Sequence, residues 1–241
     1  MKSSWFLLCL PTILSYQITN TFAFSPSSSR SSASSTLRSS PILSIGSLLD
    51  LIPQKKSSTI TKERINEIKD EIQVLSKGTS NGISASDQVR SKISSLVAEL
   101  ETSNPTPNLT SSDKLDGSWN LIYTTNEGSS AGKLGPLVGD VEQFIRIKGY
   151  DREDYINYVR IGGGVVEGAL TATWDVLSKT KWQVNFESVT FKLFGITLIE
   201  KELSAVGIWR MTYLDENFRI LYAAGGKNVP KENIYILSKG N

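Results

Sequence analysis

Histidine, the side chain that most often moves protons near neutral pH, is absent from all 241 residues of the chain. Its absence excludes Ser-His and Cys-His nucleophilic couples and imidazole metal ligands. The single cysteine, Cys9, lies in an N-terminal stretch that we expect to be removed, which would leave a mature chain without a thiol. The remaining serines, lysines, tyrosines and carboxylates show no catalytic spacing. We therefore predict no catalytic residue, no metal site, no cofactor and no enzymatic activity.

Two groups of carboxylates have the residue types for acid-base chemistry or for binding a divalent cation. The first, Asp151, Glu153 and Asp154, falls in the turn-like segment GYDRED, where charged residues are expected at a hairpin end. The second, Glu200 and Glu202, shares one strand face and is interpreted as part of a solvated outer surface. Residues 162–164 are three glycines followed by a strand pattern, which favours a hairpin turn over a phosphate-binding loop.

Aromatic residues are the more informative set, because each lies on a predicted strand and four of the five tryptophans of the chain are among them. Leu, Ile and Val alone can fill a small barrel, and for any single ring core packing is the alternative interpretation. Taken together, these rings favour a lined cavity that holds a hydrophobic molecule. The predicted lining residues are Trp119, Tyr123, Phe144, Trp174, Trp182, Phe186, Trp209 and Tyr213.

Two distant segments predict how such a barrel closes. Gly117 and Trp119 open a strand in the run GSWNLIYTT, and Arg219 follows an acidic turn in the run WRMTYLDENFRI. Once the sheet closes, Arg219 can lie across the face of Trp119, a contact of about 0.5–2 kcal/mol with a mainly structural role. Asp215 is expected to make the tight turn with its side chain.

A Gly- and Ser-rich segment, residues 127–139, joins two predicted strands and is too long for a tight hairpin. Its apolar residues suggest a lid at the mouth of the barrel or a patch that contacts a lipid surface. A loop folded back on the barrel is the alternative. The predicted contact residues are Leu134, Pro136, Leu137 and Val138.

The elements that would position these residues change character along the chain. Residues 60–103 show two stripes of apolar residues at helical spacing, with Thr61 and Ser86 as N-caps, which predicts a helical hairpin. From Gly117 the apolar period becomes two, which predicts an up-and-down antiparallel barrel over residues 115–241 with roughly nine strands. The later strand candidates are Tyr155–Ile161, Val165–Trp174, Trp182–Phe191, Thr197–Leu203, Gly207–Tyr213, Phe218–Ala223 and Ile234–Lys239.

The N-terminal residues have the composition of targeting signals. Residues 1–23 combine Lys2, a short apolar run and a small-x-small cleavage site, which is typical of a signal peptide. Residues 24–59 are rich in Ser and contain no acidic residue before Asp50, as in a transit peptide that continues into a disordered linker. Together they resemble the bipartite plastid presequence of algae whose plastids lie behind extra membranes. Secretion with a Ser-rich stalk is the alternative.

The charge balance bears on the partner. Removing residues 1–40 takes away three positive charges and changes the formal net charge from +2 to −1. A nearly neutral mature chain argues against a nucleic-acid partner. The apolar run before the cleavage site is too short to span a bilayer, so no transmembrane segment is expected in the mature chain.

Three motifs in order carry a resemblance to a known family. NPTPN at 104–108, LDGSWNLIYTT at 115–125, and the segment from Gly207 to Ile220 resemble the plastid lipid-associated proteins, or plastid fibrillins. The resemblance runs from about Ile60 to the C-terminus and implies a lipocalin-like, non-enzymatic protein of plastoglobules and thylakoid membranes. It also implies binding of carotenoids, quinones or fatty acids. Residues 221–231 depart from the family pattern, because the last turn is longer and has no second Arg.

The sequence thus predicts a plastid lipid-associated carrier or membrane-organising protein in peripheral contact with plastid membranes or lipid bodies. A second hypothesis is a structural coat of plastid lipid bodies whose barrel holds no ligand. A third, less favoured, is a lipid-modifying enzyme on a barrel scaffold that uses Glu200, Glu202 or Tyr213 as acid or base.

Overall fold

A computed structural model describes residues 60–147, 154–225 and 231–240 of the chain. The predicted presequence, residues 1–59, lies outside this part, as do Asp151, Glu153 and the side chain of Asp154. The described chain forms a helical hairpin followed by a closed antiparallel β-barrel, as the apolar periodicity predicts.

The hairpin consists of α1 (Lys62–Ser76) and α2 (Asp87–Glu101). Both predicted N-caps are present: the Thr61 hydroxyl accepts a hydrogen bond from the backbone N–H of Arg64 at 3.2 Å, and Ser86 accepts one from Val89 at 3.3 Å. The apolar stripe of each helix is buried. Among the described residues, no helix is long and apolar enough to cross a membrane.

The described strands, in chain order, are β1 (Gly117–Thr124), β2 (Lys133–Leu134), β3 (Leu137–Val138), β4 (Asp140–Arg146), β5 (Asp154–Ile161), β6 (Val166–Val176), β7 (Lys181–Leu193), β8 (Ile196–Leu214), β9 (Phe218–Ala224) and β10 (Asn233–Lys239). Eight of them form the barrel in the spatial order β1-β10-β9-β8-β7-β6-β5-β4, and β4 pairs with β1 to close it. The two short strands β2 and β3 form a separate hairpin between β1 and β4.

One strand prediction was wrong. The segments 197–203 and 207–213 are a single strand, β8, and not two strands separated at Gly207. The backbone of Gly207 packs closely against neighbouring groups, because a Cβ at this position would lie 3.3 Å from both the carbonyl oxygen of Ala224 and the Phe186 ring. Over residues 196–207, β8 pairs with β7 but with no other described strand, so this part of the β7–β8 hairpin extends beyond the ladder with β9.

Apolar side chains pack in two layers. The inner layer packs inside the barrel and has residues from all eight barrel strands, among them Leu121, Ile145, Val159, Ala172, Val184, Met211, Leu221 and Leu237. The outer layer lies between the barrel wall and the helical hairpin and includes Ile68, Ile72, Ile93, Leu100, Ile220 and Ile236. The helices therefore cover one outer face of the barrel and leave its interior to the strands.

The turn between the helices is fastened to the mouth of the barrel, the end at which β1 finishes and β4 begins. The backbone carbonyl of Asn81 accepts from the N–H of Thr124 at 2.8 Å. The side-chain amide of Asn81 donates to the carbonyls of Ala131 and Gly139, both at 3.0 Å. Gly82 follows at φ +100°, and a Cβ there would lie 2.2 Å from the Thr124 carbonyl oxygen, so only glycine fits. The hairpin thus holds both ends of the segment that carries β2 and β3.

Asp215 fastens the helices at the other end. Its Oδ1 accepts from the backbone N–H groups of Asn217 and Phe218 at 3.0 and 2.9 Å, which is the turn-making role that the sequence predicts. Its Oδ2 accepts from the Tyr213 hydroxyl at 2.6 Å and from the ammonium of Lys69 on α1. Burial alone would raise the pKa of Asp215, but the hydrogen bonds from Lys69, Tyr213 and Asn217 outweigh it and hold the pKa below its usual range.

We predict that Asp215→Asn lowers the free energy of unfolding by about 2 kcal/mol at pH 7, because Lys69 loses a largely buried partner. A carboxylate with a lowered folded-state pKa stabilises the fold above its unfolded pKa of about 3.9 and loses that effect as the pH falls through the folded value. The difference between wild type and variant in urea titrations should therefore shrink below about pH 4.

Glu216→Gln is the matched control, since the neighbouring carboxylate is 80% exposed. It should leave the free energy of unfolding nearly unchanged at both pH values. A difference for Asp215→Asn that is independent of pH would contradict the role assigned to its charge.

Candidate ligand-binding site in the barrel interior

The floor of the interior is built around Trp119. The 3₁₀ turn Asp113–Leu115 precedes β1, and the indole N–H of Trp119 donates back to the Leu115 carbonyl at 2.9 Å. Gly117, at φ +100°, allows the chain to turn from this segment into the strand. The ring is fully buried, so the start of β1 closes the lower end of the barrel.

Two cations lie against the Trp119 ring. The guanidinium carbon of Arg219 is 5.0 Å from the ring centroid, and the ammonium of Lys239 is 4.4 Å from it. The first contact is the one that the sequence predicts, and the second was not anticipated. Lys239 also donates to the backbone carbonyls of Lys114 and Asp116, which ties the end of β10 to the segment before β1. The floor therefore has a positive charge.

Arg219 is fully buried and points from β9 across the interior. Its Nη2 donates to the side-chain oxygen of Gln143 on β4, while Nε and Nη1 are buried and have no hydrogen-bond partner. Burial lowers the pKa of Arg219 to about 9, so the group still carries its charge at neutral pH.

Further aromatic rings line the barrel wall. Trp174 and Trp182 stack with centroids 4.5 Å apart and planes at 16°, and Tyr155 meets Trp209 edge to face at 4.9 Å. Phe186 packs against the same layer. The structure thus brings five of the predicted lining residues together in the interior, namely Trp119, Trp174, Trp182, Phe186 and Trp209.

Tyr123 and Tyr213 do not lie in the interior, contrary to expectation. Strict alternation would place Tyr123 beside Leu121, but a β-bulge between these residues turns Tyr123 towards the helices. A second bulge, between Met211 and Tyr213, does the same on β8. Both tyrosines belong to the outer layer.

Phe144 was also predicted to line the interior, and it does not. Along β4 the buried residues are Val141, Gln143 and Ile145, and Phe144 points to the opposite, outer face. There its ring contacts the guanidinium of Arg146, with the guanidinium carbon 5.6 Å from the centroid. Because β4 has a regular period of two, its own alternation excludes Phe144 from the barrel interior.

Three polar residues of the interior, Gln143, Asn157 and Tyr155, were not recognised as site residues from the sequence. Gln143 and Asn157 are buried and directly opposite each other across the β4–β5 ladder. The Tyr155 hydroxyl donates to the Asn157 side-chain oxygen at 3.2 Å. The only signal in the sequence is their position on the apolar face of alternating strands, where a polar side chain is unusual.

The mouth is partly covered by the β2–β3 hairpin. Leu134 packs against the inner layer, and its Cδ1 is 3.9 Å from where a Cβ on Gly168 would be, next to the mouth. Pro136 and Leu137 are exposed, and Val138 is half-buried. Leu134 thus packs inward, whereas the tip of the hairpin faces solvent; the predicted contact of this segment with lipid stays a prediction.

Of the two predicted carboxylate groups, the one that the structure describes does not approach the interior. Glu200 and Glu202 are exposed on the extended part of β8, as the outer-face interpretation predicts. The glycines 162–164 form the turn between β5 and β6, in which the N–H of Gly164 donates to Ile161 at 3.3 Å. Neither feature adds a reactive group to the site.

The barrel is closed, antiparallel and eight-stranded, and an arginine packs against the indole ring of a tryptophan near the start of its first strand. These features define a lipocalin-like β-barrel protein. The family model PAP_fibrillin matches residues 66–208, more than half of the 241 residues. The chain therefore belongs to the PAP_fibrillin family, which confirms the predicted resemblance to plastid lipid-associated proteins. The match includes the GSW segment and ends just before the WRMTYLDENFRI segment.

Similar proteins come from plants. Plastid lipid-associated protein 1, chloroplastic, of Brassica campestris is 33% identical over 46% of this chain and 35% of its own length. The chromoplast-specific carotenoid-associated protein C1 of an Oncidium hybrid cultivar is 31% identical over 46% of this chain and 36% of its own. Plastoglobulin-1, chloroplastic, of Pisum sativum is 28% identical over 56% and 39%. The matched segments thus span less than half of each of these relatives.

Because the rings lie on different faces of the barrel wall, similar substitutions should destabilise the protein to different extents. Trp182→Leu should lower the free energy of unfolding by about 3 kcal/mol, because it opens a void in the inner layer and removes the 3.2 Å hydrogen bond to the Thr110 carbonyl. Phe144→Leu, the control on the outer face, should cost less than about 1 kcal/mol. Chemical unfolding of the two variants measures both values, and equal losses would contradict the assignment.

Proposed function

We propose that the protein binds one hydrophobic molecule, of the carotenoid, quinone or fatty-acid type, in the barrel interior and breaks no bond. The observation that carries the proposal is the aromatic wall of a closed barrel, formed by the Trp174–Trp182 stack and the Tyr155–Trp209 pair. Burying roughly 400 Å² of apolar ligand surface at about 25 cal/mol per Å² would give about 10 kcal/mol before the costs of association. Micromolar binding needs less than that.

We further propose that the protein acts in plastids, at the surface of plastoglobules or thylakoid membranes. The names of the relatives support this, since they include chloroplastic and chromoplastic proteins and a carotenoid-associated protein. The composition of residues 1–59 supports a two-part targeting signal.

The tip of the β7–β8 hairpin supports contact with a lipid surface. Phe194 and Ile196 are 74% and 67% exposed, and Leu198 behind them is 51% exposed. The N–H of Phe194 donates to the Val165 carbonyl at 2.8 Å, so the turn between β5 and β6 lies beside this tip. Val165 is itself 42% exposed, which extends the apolar end. Large exposed apolar groups at a protruding end suit shallow insertion into lipid. This observation also favours the coat hypothesis, in which the same tip holds the protein on a lipid body without an internal ligand.

Quenching of tryptophan fluorescence tests the carrier. A long-chain quinone, a carotenoid and a fatty acid should be titrated separately, and at least one should quench to saturation at one equivalent. Gly168→Leu should weaken that binding by about tenfold, because the new side chain points inward below Leu134 and competes with the ligand.

Ala169→Leu is the matched control, since Ala169 is the next residue of β6 and its side chain lies on the opposite face of the strand from position 168. It should leave the affinity unchanged. If the folded protein binds none of the three molecules, the carrier hypothesis is lost and the coat hypothesis remains.

Flotation with lipid vesicles tests surface contact. The double variant Phe194→Ser/Ile196→Ser should bind vesicles about tenfold more weakly, because two large apolar groups no longer enter the lipid. Val74→Ser removes an apolar residue that is 63% exposed on α1 and serves as the control, with unchanged flotation expected. Equal loss in both variants would assign lipid contact to general surface hydrophobicity and not to the hairpin tip.

A further inference from the structure

We propose that the floor of the barrel binds the carboxylate of a long-chain acid, with Arg219 as the residue that recognises the head group. This inference rests on the proposed function, since it names the class of molecule that the same interior prefers. It distinguishes an acid from the neutral carotenoids and quinones that an apolar wall would accept equally well.

The primary observation is a buried cation with unused donors. The Arg219 side chain is 0% exposed, and Gln143 accepts from Nη2 only. Nε and Nη1 are buried without an acceptor. Leaving charged donors unsatisfied in an apolar interior is costly, and buried polar groups in folded proteins nearly always have a partner. A ligand oxygen at this position would provide it.

The surroundings offer no counter-charge. Among the described residues, no carboxylate is buried in the interior. Tyr155 is near Arg219, but burial raises its pKa far above neutral, so its hydroxyl stays uncharged. Lys239 on the floor is a second cation, and its ammonium donates to two backbone carbonyls. The floor therefore attracts an anion.

The geometry of the group favours a carboxylate. A guanidinium has five N–H donors in a planar fork, and two neighbouring N–H groups match the two oxygens of a carboxylate. Gln143 uses one N–H of Nη2, so one edge of the fork remains complete. A quinone carbonyl or a carotenoid hydroxyl would satisfy at most part of this edge and leave the charge unpaired.

The position also suits a molecule with one polar end. Arg219 lies at the closed end against Trp119, and the Trp174–Trp182 stack lies near the same end, where the Trp182 indole N–H donates to the Thr110 carbonyl at 3.2 Å. The hydrocarbon chain of an acid held at the floor would start among these rings and run through the interior to Leu134 at the mouth. Gln143 and Asn157 are the buried polar neighbours of the head group on the adjacent wall.

The experiment compares palmitic acid with methyl palmitate, which has the same chain and no charge, by tryptophan quenching of the full chain at neutral pH. The acid should bind about tenfold more tightly than the ester. In Arg219→Met the two affinities should become equal, through loss of acid binding alone. Arg160→Met is the control, because Arg160 lies on the outer face with Glu142 and Glu167 as partners, and it should keep the preference.

Gln143→Glu provides a second variant that does not depend on whether Arg219→Met folds. It places a carboxylate beside the guanidinium, so it should abolish the preference for the acid and raise the melting temperature. Equal binding of acid and ester by wild type, or a preference that survives both variants, overturns the proposal. If ester and quinone bind but the acid has no advantage, only this inference fails. If no hydrophobic molecule binds the folded protein, the carrier function fails with it.

Discussion

Closure of the sheet between β1 and β4 is the constraint on which the rest of the barrel depends. It places Trp119 opposite Gln143 in the ladder and brings Arg219, two strands away on β9, across the ring and into contact with Gln143. A cation over an indole face gives about 0.5–2 kcal/mol, more when water is excluded. The same contact holds the charge of Arg219 at a fully buried position. The floor is therefore both the structural seal of the barrel and its most polar interior point.

The helical hairpin makes this closed barrel one unit with its surroundings. It is tied to the mouth through Asn81 and to the closed end through Lys69 and Asp215. Between these ties lies the outer apolar layer, and the two β-bulges supply it with Tyr123 and Tyr213. Each bulge adds one residue and so moves the following side chains to the other face of the strand. Without them, both rings would compete for space inside the barrel, and the helices would lose their aromatic partners.

The sequence predicted the parts of this structure that depend on local physical rules, and it failed where distant residues decide. The helix caps at Thr61 and Ser86, the strand that opens at Trp119 and the Asp215 turn each depend on a few neighbouring residues, and all were predictable. The face assignment of Tyr123 and Tyr213 depends on an extra residue that only the partner strand reveals. Gly207 looked like a strand end, but its reason is the nearby Phe186 ring and Ala224 carbonyl, which are distant in sequence. Gln143 and Asn157 could be noticed only as polar exceptions within apolar alternation.

The two ends of the barrel differ in polarity, and this difference relates the proposed contact with lipid to the proposed binding of an acid. The apolar tip at Phe194 and Ile196 and the inward-turned Leu134 lie at the mouth, and the cations Arg219 and Lys239 lie at the floor. An acid in a lipid surface has its head group towards water and its chain in the lipid. With the mouth held against that surface, the head group enters the barrel first and the chain follows it out of the lipid without turning over. A neutral molecule gains nothing from the floor and would be retained by the wall alone. The proposed direction of loading and the proposed preference for an acid thus follow from one arrangement, in which the cations and the exposed apolar tip lie at opposite ends of the same barrel.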